Sequence, residues 1–231
     1  MPCIAIGCCI VNKFITNQQY IIYFNFLYHL ILLLLLMNNI IAKSVEIILK
    51  NKNILDDVLK ENREVGGFID FNTNEIKITI RGELGTMMLN HMLHYSLMHN
   101  KINWHTHPQP NENIIKKNLF GFLPSRTDLA TCISACLFCK ETMINAVVHK
   151  DGVFFYWCKK NFIDFLKTLG KKERQVLINN FVFPTINKLM YKIDRSNKSV
   201  NECVIKFRRV IGSVVKINGI VYGFESFFHH F

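Results

Sequence analysis

Acidic side chains are scarce in this chain: 17 Asp and Glu stand against 28 Lys and Arg, a net charge of +11 over 231 residues. Half of the residues are hydrophobic, which excludes a disordered chain, because such chains lack the apolar surface that offsets the entropy of ordering. Internal repeats and low-complexity linkers are absent, so solenoids and tethered arrays are excluded as well. The eight cysteines have no regular spacing, and the chain is too long for a small secreted disulfide scaffold. A reducing compartment fits them best. No aromatic-basic platform or RNA-binding signature is present, so sequence-specific reading of nucleic acid is unsupported. The length suits one domain with an appendage.

The positive charge is uneven. Residues 1–158 carry 14 basic and 12 acidic side chains, net +2, and residues 159–231 carry 14 and 5, net +9. Such a basic region can meet nucleic acid, an anionic membrane or an acidic protein, or simply be a solvated helix face. At the other end, Tyr20 to Met37 reads YIIYFNFLYHLILLLLLM, just long enough to cross a bilayer as a helix. Three readings stay open for residues 1–37: a membrane span, a signal peptide, or an extension ahead of an initiator at Met37. If residues 20–37 span a membrane, Lys43, Lys50, Lys52, Lys60 and Arg63 favour a cytoplasmic, membrane-anchored C-terminal domain.

Residues 38–170 read as a mixed α/β or α+β domain, and 171–231 as a basic, mainly helical C-terminal extension. Ile40, Ile41, Val45, Ile48, Leu49, Ile54, Leu55, Val58 and Leu59 recur at helical spacing and place a helix first. Ile76, Ile78 and Ile80 alternate with Glu75, Lys77 and Thr79, which with Gly66–Phe71 and the turn residues 72–74 predicts a hairpin. Met87–His99 is weakly helical, Lys101–Thr106 a short strand and Ser125–Glu141 a helix. Residues 144–148 and 153–157 are strands about a Lys150-Asp151-Gly152 turn. Ser199-Val-Asn-Glu202 is a capping box ahead of a stripe of Val200, Cys203, Val204, Phe207, Val210 and Ile211. Asn218-Gly219 marks a hairpin turn. Cys132, Cys136 and Cys139 have the spacing of a buried helix stripe, and the lone Cys136-x-x-Cys139 lacks the second pair that a structural zinc site needs.

Three short motifs carry chemistry. In His105-Thr106-His107-Pro108, residues two apart on an extended chain point the same way, so both imidazoles can reach one ion. Pro108 ends the strand, having no N–H to continue a ladder. Ser125-Arg-Thr-Asp128 places a carboxylate in the first turn of a helix, either as a ligand or as an ordinary N-cap partner. Glu64-Val-Gly-Gly67 sets a carboxylate at the start of a strand. The chain has no His-Glu-x-x-His, which excludes a thermolysin-type site.

Taken in order, Glu64-x-x-Gly67, His105-x-His107-Pro108 and Ser125-x-x-Asp128 resemble the signature of the JAMM metalloproteases, the zinc-dependent branch of the JAB/MPN domain family. The resemblance covers roughly residues 43–170. It implies a JAB/MPN-like, cytidine-deaminase-like sheet flanked by helices. It further implies a zinc isopeptidase that hydrolyses an amide at the C-terminus of ubiquitin or a ubiquitin-like protein. His105, His107 and Asp128 would hold the metal, Glu64 would be the general base, and Ser125 would donate to the oxyanion. A non-catalytic JAB/MPN scaffold and a membrane-tethered basic interaction protein are the alternatives. One departure is the spacer between the second His and the Ser: 17 residues, Pro108 through Pro124, are more than the family has. This partly apolar insert fits a substrate flap or core packing.

Overall fold

The computed structural model describes residues 35, 37–61, 63–82, 102–107, 121–139, 143–194 and 199–231. The chain forms two compact units, Met1–Lys43 and Ser44–Phe231. In the first, residues 37–43 are helical. The apolar run that starts at Tyr20 falls almost wholly outside the described residues, as do residues 87–99 and 108–120. Among the described residues no helix is long and apolar enough to cross a membrane.

The second unit is a mixed α/β structure. Helix α1 (residues 44–50) and α2 (Lys52–Val58) precede a hairpin of β1 (Val65–Asp70) and β2 (Glu75–Arg81). Then come β3 (Ile102–Thr106), α3 (Arg126–Cys139), β4 (Asn145–His149) and β5 (Gly152–Cys158). Four helices follow: α4 (Lys160–Thr168), α5 (Lys171–Leu177), α6 (Phe183–Asp194) and α7 (Val200–Ile211), with a π-helical turn Ile178–Val182 joining α5 to α6. Strands β6 (Val215–Ile217), β7 (Ile220–Tyr222) and β8 (Phe224–His230) close the chain.

The main sheet has the order β2-β1-β3-β4-β5-β8, and every neighbouring pair is antiparallel except β3 with β4. The expected β1–β2 hairpin forms, with Asn74 at φ 54° in its turn, a left-handed conformation that Asn tolerates. A bulge interrupts the ladder between Gly66 and Gly67. Gly67 is needed there, since a Cβ would lie 1.7 Å from the Lys77 carbonyl oxygen. Asn218 and Gly219 adopt φ 50° and 80°, the two positive values of a tight hairpin turn, and they join β6 to β7 in a separate two-stranded sheet. The Ser199 capping box is realised: its hydroxyl accepts from Glu202 N and the Glu202 carboxylate accepts from Ser199 N.

Burial explains the pattern. In β5, Phe154, Tyr156 and Cys158 share a core with Val147 of β4, with Leu129, Cys132, Ile133 and Cys136 of α3, and with buried residues of α4, α6 and α7. The neighbouring residues Val153, Phe155 and Trp157 are buried too, so β5 reads as a continuous apolar run because both of its faces are covered. Residues 159–231 belong to this same unit: Phe207 packs edge-on against Phe154, and β8 pairs along the whole of β5. Cys203, Val204, Phe207 and Ile211 of the α7 stripe are buried, whereas Arg208 and Arg209 are exposed.

Candidate metal centre

Strand alternation sets one half of the site. Gly66 pairs with His105 and Trp104 with Gly67, so His105 and Trp104 face opposite sides of the sheet. His105 opposes Val147 across the parallel β3–β4 pair, and it is buried on the side that carries α3. His107 follows two residues later, just past the strand end. The chain returns over the sheet as α3, whose first turn holds Asp128. Asp128 thus reaches the C-terminal end of β3 from above.

The three side chains converge. His105 Nε2 and His107 Nε2 are 3.2 Å apart. Asp128 offers Oδ2 to His107 Nε2 at 3.2 Å and Oδ1 to His105 Nε2 at 3.4 Å. Zinc bound tetrahedrally at about 2.0–2.1 Å sets such ligand atoms about 3.3–3.4 Å from one another. Two ring nitrogens facing each other and one carboxylate also leave lone pairs opposed unless a proton or a cation lies between them. The donor set therefore fits a divalent ion of the zinc class, and these residues are grouped as a candidate metal site.

Asp128 does double duty. Its Oδ2 accepts from Ser125 N at 2.7 Å, and its own N–H donates to Ser125 Oγ at 3.2 Å. The helix-cap and ligand readings of Ser125-x-x-Asp128 thus coexist in one carboxylate. Burial opposes ionisation of Asp128, but the charges and hydrogen bonds of His105 and His107 outweigh it and hold its carboxyl well below the usual carboxylate range.

Ser125 adjoins Asp128 through the two bonds above. Glu64 precedes β1, half-buried, two residues before Gly66, which pairs with His105. Its backbone carbonyl accepts from Gly82 N at 2.8 Å, while its carboxylate makes no hydrogen bond or ion pair among the described residues. Val65 N and O both bond the Thr106 hydroxyl, at 3.1 and 3.3 Å, which ties the approach of Glu64 to the strand that carries both histidines.

Two residues, His149 and Cys158, had no role in the sequence reading. His149, at the end of β4, is buried against the edge of Phe122, and burial lowers its pKa. Phe122 and Leu123, the end of the 108–124 insert, are fully buried in the core; residues 108–120 lie outside the described residues. Cys158 joins Cys132 and Cys136 in a second cluster of ligand type. No spacing rule points to Cys158, because it lies on a different element, although its place at the end of an apolar strand predicts burial. Compared with protein-family models, curated proteins and solved structures, the chain matches none.

Proposed function

We propose that this chain is a zinc-dependent hydrolase of JAMM type, on a JAB/MPN-like fold, that cleaves an amide at the C-terminus of ubiquitin or a ubiquitin-like protein. The observation that carries the reading is the convergence of His105, His107 and Asp128 at separations of 3.2–3.4 Å. The same order of motifs in the JAMM family supports the substrate class. Zinc, when bound by these three residues, would polarise a carbonyl and lower the pKa of water to about 7.

The chain's own groups then divide the work. Glu64, whose carboxylate makes no hydrogen bond or ion pair among the described residues, would take the proton of the attacking water and deliver it to the leaving amine. Ser125 accepts one hydrogen bond through Oγ, which leaves its hydroxyl hydrogen free for the oxyanion, a contribution of ~3–4 kcal/mol where such donors have been removed. Asp128, pinned by Ser125 N, keeps the helix terminus and the histidines in register.

The test uses full-length protein with an isopeptide-linked ubiquitin dimer and a ubiquitin C-terminal amide. Cleavage should stop on chelation and return with zinc. His107→Ala and Asp128→Ala should each lose one equivalent of zinc and all turnover. Glu64→Gln should keep zinc and lose turnover by about 10²-fold or more. Unchanged zinc content in both ligand variants overturns the metal site; bound zinc with neither substrate cleaved overturns the substrate class.

A further inference from the structure

Asp128, Cys132 and Cys136 are spaced four residues apart on α3, so they form one stripe of the helix facing the sheet. The first carries the metal centre above. The other two meet Cys158 of β5. All three thiols are almost fully buried, at 1, 0 and 0 % exposure, and all three sulfur atoms lie within 4.8 Å of one another. Cys132 Sγ and Cys158 Sγ are 3.7 Å apart. Zinc–sulfur bonds of about 2.3 Å in a tetrahedral site put sulfurs about 3.8 Å apart.

We infer that Cys132, Cys136 and Cys158 form a second, buried metal site for a thiophilic d10 cation, zinc(II) or copper(I). Apolar packing alone needs volume at these positions, and Ala, Val or Leu supply it. The trio adds polar organisation that packing does not use. Cys132 Sγ lies 4.0 Å from the Met143 carbonyl oxygen as well as 3.7 Å from Cys158 Sγ. A thiolate formed inside this apolar core would be a costly unpaired charge. A soft cation removes that cost, and thiolate ligands select ions of this class.

Binding is a proton exchange without redox change. Each thiol that ligates loses its proton to solvent as its sulfur–metal bond forms, so uptake releases protons and weakens as pH falls. The three sulfurs are buried, with no side for substrate, so the role of the site is to fix α3 against β5. That stiffens the helix whose first turn presents Asp128.

The experiment titrates reduced, metal-free, full-length protein with cobalt(II) alone, without oxygen. Wild type should develop an intense near-ultraviolet thiolate-to-cobalt charge-transfer band that saturates at one equivalent. The band should survive in His107→Ala, which removes the other centre, and vanish in Cys136→Ser. Because a buried serine can prevent folding, a second measurement stays with wild type. Zinc(II) and chelator-buffered copper(I), added separately, should bleach the cobalt band, and the ion that does so at the lower free concentration is the preferred occupant. The bound metal should also protect three thiols from alkylation. A folded wild type without a thiolate band or metal-dependent protection reduces the trio to core packing, and a band that persists in Cys136→Ser removes Cys136 from the site. Loss of the band in His107→Ala but not in Cys136→Ser would show that the trio does not hold the cobalt and overturn the inference, whatever the catalytic result.

Discussion

Replacing Asp128 by Asn and by Ala separates its two tasks. Asn keeps an oxygen for Ser125 N, bonded at 2.7 Å in the wild type, but has no charge for the metal. Ala loses both. Without metal, Ala should cost about 1 kcal/mol for the lost cap and also lose the ionised contacts with the histidines, while Asn should keep the cap and lose only those contacts. With zinc at one hundred times its dissociation constant, linkage adds about 2.7 kcal/mol to the native state. For a unit of this size that raises Tm by about 5–11 °C. Differential scanning fluorimetry with and without zinc should show this rise in wild type and neither variant. A Asp128→Asn protein that keeps the full zinc-dependent rise would refute the ligand role, even if its activity were lost. A second zinc bound at the cysteines adds an increment common to all three proteins, so the comparison is made between variants.

Further expectations follow from the same geometry. Ser125→Ala removes the acceptor for Asp128 N and should lower stability by about 1 kcal/mol, retain zinc, and reduce kcat by about 10²–10³-fold; unchanged kcat would limit Ser125 to capping. Gly67→Ala drives a Cβ into the Lys77 carbonyl at 1.7 Å and should destabilise by at least about 1–3 kcal/mol, read as a lower urea midpoint; a wild-type midpoint would show that the bulge relaxes freely. Acid should act through Asp128 in metal-free protein. Its folded pKa lies below its unfolded value, so its stabilising contribution is complete above about pH 4 and disappears as pH falls through the lowered folded pKa. Asp128→Asn should flatten that limb of the stability–pH curve.

Much of the site is readable because its signals are local. Alternation places His105 and His107 on one side of a strand, and a Ser-x-x-Asp cap fixes where α3 starts and so where Asp128 stands. The β1–β2 hairpin, the Asn218-Gly219 turn and the Ser199 box are legible for the same reason: each depends on residues a few positions apart. What the sequence hides is pairing over long distances. Residues 214–228 read as a single hairpin, yet only Val215–Tyr222 closes on itself, and Phe224–His230 leaves to pair with β5. The parallel β3–β4 pair has no local mark, because either direction buries the same apolar residues. Cys158 meets Cys132 and Cys136 only through the fold, so a reading that looked for a second C-x-x-C passed over it.

The pairing of β8 with β5 also bears on how the protein is made. β5 is apolar from Val153 to Trp157 and ends beside the cysteine trio, yet its outer neighbour is supplied by residues 224–230. Until residues 224–230 leave the ribosome, β5 is an uncovered edge with a row of unpaired backbone donors and acceptors, the feature that templates aggregation. Once β8 docks, the sheet ends instead in a strand that carries Glu225, His229 and His230. Residues 224–230 therefore act as a guard on the nascent fold, and truncation before Phe224 should yield insoluble protein, although His105, His107 and Asp128 would still be encoded.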